Sequence, residues 1–207
     1  MVTIYYHCPD MTPDDERFVA DSLEELAQHL KEEPIRSKVC IKRLGNELEL
    51  VKEIDAILNR VGGQSCTFKD AASRIQELLS DNLPDTVKSS NLGFFIPSLL
   101  AYCHQDSAIA RSALREDGAS PWGAEWCGLA AVYQPGNRFI IWHEALHLLR
   151  AHDCYEEDDP YRRKPDCNCD SCIMQYVPTE ETVGKWSLCD KSVKKLKDLV
   201  EEAKEVC

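Results

Sequence analysis

The run Phe139-Ile140-Ile141-Trp142-His143-Glu144-Ala145-Leu146-His147-Leu148-Leu149 constrains the fold of this 207-residue chain more than any other stretch. It is apolar on every side, yet shorter than the roughly 20 residues a membrane-spanning helix needs. A helix apolar all round has to be buried among other elements, so the rest of the chain must supply layers to cover it. Two imidazoles and a carboxylate are costly to bury without a task. Four helical residues advance about 400°, which puts His143 and His147 on one face, a turn apart. Their nitrogens can then reach a single Zn2+ at bond lengths of about 2.0–2.1 Å. Glu144 projects about 100° away, beside such a metal, where its carboxylate can take a proton from water.

A catalytic zinc site draws on three protein ligands. Were the helix to run on, His152 and Asp153 would both leave the metal face. The helix is therefore predicted to end near Leu149, with the chain turning back to deliver either His152 or Asp153. Glu156 or Glu157 would serve if the third ligand came from further along.

The cysteines form the second feature. Of the 11, Cys8, Cys40, Cys66, Cys103 and Cys127 stand singly in apolar stretches, where a cysteine acts as a small hydrophobe. Cys154, Cys167, Cys169 and Cys172 cluster just after the histidine helix. Four thiolates in one loop can make a tetrahedral zinc site; disulfides, free thiols and an iron–sulfur centre are the alternatives. With 43% hydrophobic residues and only 10 prolines and 9 glycines, the chain has the composition of a globular protein with a real core. A formal net charge of −12 argues against nucleic acid or an anionic membrane surface as partners. The N-terminal residues lack the basic and apolar regions of a signal peptide, and the expected location is cytoplasmic.

Along the chain, residues 2–6 and 38–44 read as strands. Residues 13–33, 46–61 and 69–80 read as helices, the first with Val19, Leu23, Leu26 and Leu30 on one stripe. Residues 93–103 suggest a strand broken at Pro97, 117–126 a loop, and 127–134 a strand turned by Pro135-Gly136 into the histidine helix. A last helix is predicted from about Lys191, with Val193, Leu196, Val200 and Ala203 on one face. The pattern predicts one α/β (α+β) domain over residues 1–207. It would have an α/β part at 1–126 and the active-site helix, cysteine loop and C-terminal helix at 127–207.

The continuation of the helix resembles the metzincin metalloproteases, whose motif is HExxHxxGxxH or HExxHxxGxxD. Counted from His143, the third-ligand position is Asp153, with His152 one residue out of step. Arg150 stands where those proteins have a glycine that allows a left-handed turn. Cys172-Ile173-Met174-Gln175-Tyr176 is similar to a metzincin Met-turn. Among metzincins the archaemetzincins are most alike, since Cys154 follows the third-ligand position directly and Cys172-Ile173-Met174 matches their Cys-x-Met. This resemblance covers mainly residues 127–176.

It implies a zincin domain with a mixed twisted sheet, and a zinc metallopeptidase acting on peptides or proteins. Zn2+ would be held by His143, His147 and Asp153, with Glu144 as general base and acid. Met174 would form an apolar floor, and Tyr176 would bind the metal or steady the oxyanion. A strand at 127–133 would form the edge against which an extended substrate pairs. A second, structural zinc is implied on the cysteines. The family completes that site with a downstream CxxC; here Cys189 stands alone and Cys167-x-Cys169 lies upstream, so the expected set is Cys154, Cys167, Cys169 and Cys172. The rival reading is a non-catalytic zinc-binding protein whose site is altered at Arg150.

Overall fold

Two helices start with the same local device. Thr12 and Thr67 each accept a hydrogen bond from the backbone N–H three residues on, and Asp15 and Asp70 return the bond to the threonine backbone. Such capping boxes satisfy helix-end N–H groups that otherwise lack partners, and Pro13 is preorganised for the first helical position. The computed structural model describes residues 2–9, 11–32, 34–45, 48–60, 67–83, 87–89, 94–96, 98–102, 123–126, 128–132, 136–156, 161–169, 171–175 and 186–205. In chain order these form β1 (Val2–His7), α1 (Pro13–Leu30), β2 (Val39–Arg43), α2 (Leu48–Leu58), α3 (Phe68–Asn82), β3 (Val87–Ser89) and β4 (Phe94–Ile96). They continue with β5 (Ser98–Tyr102), β6 (Gly123–Trp126), β7 (Leu129–Val132), α4 (Arg138–Leu148) and α5 (Asp190–Glu205).

The main sheet has five strands in the order β2-β1-β5-β7-β6. Its first four are parallel, and β6 pairs antiparallel with β7 at one edge. β3 and β4 form a separate antiparallel pair. A parallel sheet is covered on both faces, and every residue of β1 is buried. Side chains alternate along each strand, so the sheet feeds two cores. Ile4, Tyr6, Leu100, Ala130 and Val132 pack with residues of α1, α4 and α5. Tyr5, Leu99, Ala101, Leu129 and Ala131 pack with residues of α2 and α3. The molecule is a mixed α/β fold with five helices among the described residues.

The helical stripe Val19, Leu23, Leu26 and Leu30 is buried as expected, and α5 begins at Asp190, one residue from its predicted start. Residues 93–103 divide on either side of Pro97 into β4 and β5, which belong to different sheets. The region before the histidine helix needs correction. Part of the expected loop 117–126 is strand β6, and β7, expected as the edge, lies inside the sheet between β5 and β6. Trp126 pairs with Leu129, so only two residues connect the strands. Gly128 sits there at φ 82°, a conformation glycine adopts without strain. Among the described residues no helix is long and apolar enough to cross a membrane.

Candidate metal centres

α4 is buried on all sides, as its composition requires: Ile140 through Leu146 are all covered. Asn137 caps it, its side chain accepting from the Phe139 N–H at 3.0 Å. Trp142 fixes its rotation against α1 by donating its ring N–H to the Ser22 carbonyl at 2.7 Å. Trp142 also packs edge-on against His29 and Phe139. This anchoring turns His143 and Glu144, each 5% exposed, inward.

Both histidines are oriented by main-chain carbonyls. His143 Nδ1 lies 3.1 Å from the Ile173 carbonyl, and His147 Nδ1 lies 3.1 Å from the Ala151 carbonyl. A carbonyl can only accept, so each Nδ1 carries the proton and each neutral ring presents its lone pair at Nε2. The two Nε2 atoms are 3.1 Å apart. Asp153 Oδ1 lies 3.2 Å from each.

The turn that delivers Asp153 is a Schellman motif. The Arg150 N–H bonds the His147 carbonyl at 2.8 Å and the Ala151 N–H bonds the Leu146 carbonyl at 2.9 Å. Arg150 occupies the left-handed position at φ 69°. The turn is made without a glycine, and the arginine bears a cost of about 1–2 kcal/mol for it. Helix α4 stops at Leu148, with Leu149 as its cap.

Beyond the turn, neighbouring side chains point in opposite directions. Asp153 faces the histidines. His152 faces α5, with Nδ1 3.2 Å from Ser192 Oγ. Burial first, then Lys191 and Lys195, lower the His152 pKa. Burial raises the Asp153 carboxyl; when the facing ring nitrogens of His143 and His147 carry protons, their hydrogen bonds and charge outweigh burial and hold the carboxyl far below the usual range.

With both rings neutral, the two Nε2 lone pairs and the carboxylate oxygen repel one another unless a proton or a metal ion lies among them. Asp153 Oδ1 is buried with no geometrically satisfied hydrogen bond, as suits an oxygen that binds a metal. Donors bound at about 2.0–2.1 Å in a tetrahedron are about 3.3 Å apart, close to the separations seen. His143, His147 and Asp153 could hold a metal ion. Glu156 is not in this group, and Tyr176 and Glu157 lie outside the described residues.

A second group, fully buried, consists of Cys154, Cys167, Cys172 and Cys189, whose sulfur atoms lie within 4.8 Å of one another. One tetrahedral ion with bonds of about 2.3 Å would space them by about 3.8 Å, so this group could also hold a metal. It differs from the expected set at one corner, where Cys189 stands in place of Cys169. The reason is the seating of the loop on α5. The Asn168 side chain donates to the Asp190 carboxylate at 2.6 Å and accepts the Asp190 N–H at 3.2 Å. That clamp brings Cys189, just ahead of α5, into the cluster, while the Cys169 carbonyl accepts weakly from the Cys167 thiol at 3.9 Å. Spacing from the other cysteines could not show this, but a cysteine immediately before a helix start was a usable signal.

The described members of both cysteine sets are all free thiols. Cys154 donates to Cys172 across 3.1 Å. This contact lowers the Cys172 pKa against the effect of burial and, together with burial, raises that of Cys154. Met174 is fully buried, and its carbonyl accepts the Cys154 N–H at 2.8 Å.

No protein-family model matches the chain, and no curated protein matches it.

Proposed function

We propose that the chain is a zinc metallopeptidase of metzincin-like type, with a catalytic zinc at His143, His147 and Asp153 and a structural zinc at the cysteine group. The carrying observation is the convergence of two lone-pair nitrogens and a buried carboxylate oxygen, with Glu144 next to His143 on the same buried helix. Zinc in such a set supplies a Lewis acid that acidifies water and polarises a carbonyl. The chain's own part begins with the Ile173 and Ala151 carbonyls, which lock both rings with Nε2 presented. Asp153 adds a negative charge that a third histidine would not, so the pH optimum should lie above that of an all-histidine site. Glu144 takes the proton of the attacking water and returns it to the departing amine. Tyr176 is the proposed donor to the developing oxyanion.

Substrate recognition moves to β6. Among the described residues it is an edge strand of the sheet, and it packs against α4. An extended peptide can add to such an edge through main-chain hydrogen bonds, which favours a peptide or unfolded segment over a folded surface. The test is Glu144→Gln. Zinc content should stay at the wild-type value while hydrolysis of a casein-derived peptide library falls about 10²- to 10⁴-fold. Unchanged hydrolysis, or none by the zinc-loaded wild type, would refute the peptidase reading and leave a zinc-binding protein.

A further inference from the structure

Two of the three converging atoms of the His/Asp centre are held by backbone that also carries a cysteine of the other group. Asp153 is followed directly by Cys154. The carbonyl that orients His143 belongs to Ile173, which directly follows Cys172. These two stretches are tied together, since the Cys154 N–H donates to the Met174 carbonyl at 2.8 Å. The second stretch is tied in turn to the segment before α5, through the Ile173 N–H donating to the Ser187 carbonyl at 3.0 Å.

A side chain completes the connection. Ser192, on the first turn of α5, is fully buried. Its hydroxyl oxygen accepts the His152 N–H at 3.4 Å and lies 3.2 Å from the His152 ring nitrogen. The Cys189 thiol donates to the same oxygen at 3.5 Å. One hydroxyl thus touches the residue before Asp153 and a cysteine of the four-thiol group. With Cys189 as a metal-bound thiolate the direction reverses, the Ser192 O–H donating to the sulfur while its oxygen still accepts the His152 N–H. Nothing in the peptidase chemistry calls for this hydroxyl.

We propose that Ser192 is a positioning residue through which the cysteine group sets the geometry of the His/Asp centre, so that metal bound to the four thiols raises metal affinity at His143, His147 and Asp153. This rests on reading both groups as metal centres. The physical basis is that four buried thiols have many compatible arrangements, whereas four thiolates on one ion have one. Binding therefore fixes Cys154, Cys172 and Cys189, and with them Asp153, the Ile173 carbonyl and Ser192. Loss of a group that orients a metal ligand typically weakens binding by about 10- to 100-fold. Linkage makes the effect reciprocal: each centre strengthens the other by the same factor.

The experiment uses the full chain titrated with Co2+, whose thiolate-bound form shows strong near-ultraviolet charge-transfer bands that the His/Asp-bound form lacks. In Ser192→Ala the thiolate bands should reach wild-type intensity, while chelator competition shows Co2+ held at the His/Asp centre about tenfold more weakly. Cys189→Ser, which removes a thiolate ligand and alters its contact to Ser192, should weaken both centres together, and it carries the test if Ser192→Ala does not fold. His/Asp-centre affinity within about twofold of wild type in either variant would overturn the coupling. A wild type that binds one Co2+, with thiolate bands alone, would overturn it by removing its premise, and that result is separable because it appears before any substitution is made.

Discussion

Replacing Asp153 and His152 separately with alanine tests the central assignment, because the two residues are adjacent and only one faces the histidines. Asp153 contributes one of three converging donor atoms, 3.2 Å from each of the other two. Four-ligand structural zinc sites bind with roughly 10–16 kcal/mol in all, or about 2.5–4 kcal/mol per ligand. At about 1.4 kcal/mol per decade, Asp153→Ala should weaken zinc at this centre by about 10²- to 10³-fold. His152→Ala removes only the ring contact to Ser192 and keeps the backbone N–H bond to the same hydroxyl. Its loss should stay under about tenfold, the lower limit for a residue that orients a ligand. The assay is zinc occupancy per chain by elemental analysis during chelator competition, referred to protein concentration. If His152→Ala lost as much as Asp153→Ala, the turn after Leu149 would deliver a different residue from the one described, and the site would have to be redrawn.

Two further outcomes follow from the same region. Arg150→Gly relieves a left-handed residue at φ 69°; the gain of about 1–2 kcal/mol less about 0.5–1 for glycine's freedom in the unfolded chain predicts a modest rise in the denaturant midpoint with zinc content unchanged. A fall would show that contacts of the arginine side chain outweigh the backbone cost. Trp142→Phe deletes the buried bond to the Ser22 carbonyl and should cost about 1–3 kcal/mol in denaturant unfolding; a loss below about 0.5 kcal/mol would mean that packing alone fixes α4 against α1.

The histidine helix was legible because its chemistry is local. Spacing on one helix decides that His143 and His147 share a face, and an all-apolar flank decides that the helix is buried. The end near Leu149 was also legible, since neither candidate for the third ligand could reach the metal face from a continued helix. What the sequence hid was long-range. That Cys189 joins the thiol group depends on Asn168 clamping the start of α5, a contact across 22 positions. The edge strand was misplaced because Gly123–Trp126 is short and sits among loop-forming residues, while the more apolar run after it invited all the strand character. Alternation, the usual sign of a strand half exposed at an edge, is absent from four residues such as Gly-Ala-Glu-Trp. Nothing local marks which of two adjacent strands ends a sheet.

The short segment from His147 to Cys154 shows how closely the two centres are encoded. His147 is a donor to one, and the Ala151 carbonyl orients its ring. Past the Arg150 turn, side chains point in two directions, Asp153 in one and His152 and Cys154 in the other. The first direction leads to the histidines. The second leads to α5, where Ser192 meets His152 and where Cys189, just ahead of the helix, joins Cys154. A single short stretch can therefore serve both groups only if its residues keep their places, because a slip of one residue would take the Asp153 carboxylate away from the histidines. The left-handed turn at Arg150 sets those places, which gives a reason for the chain to bear its cost without a glycine: the Schellman bonds at Arg150 and Ala151 fix where the segment leaves the helix, and the positions of His152, Asp153 and Cys154 follow from it.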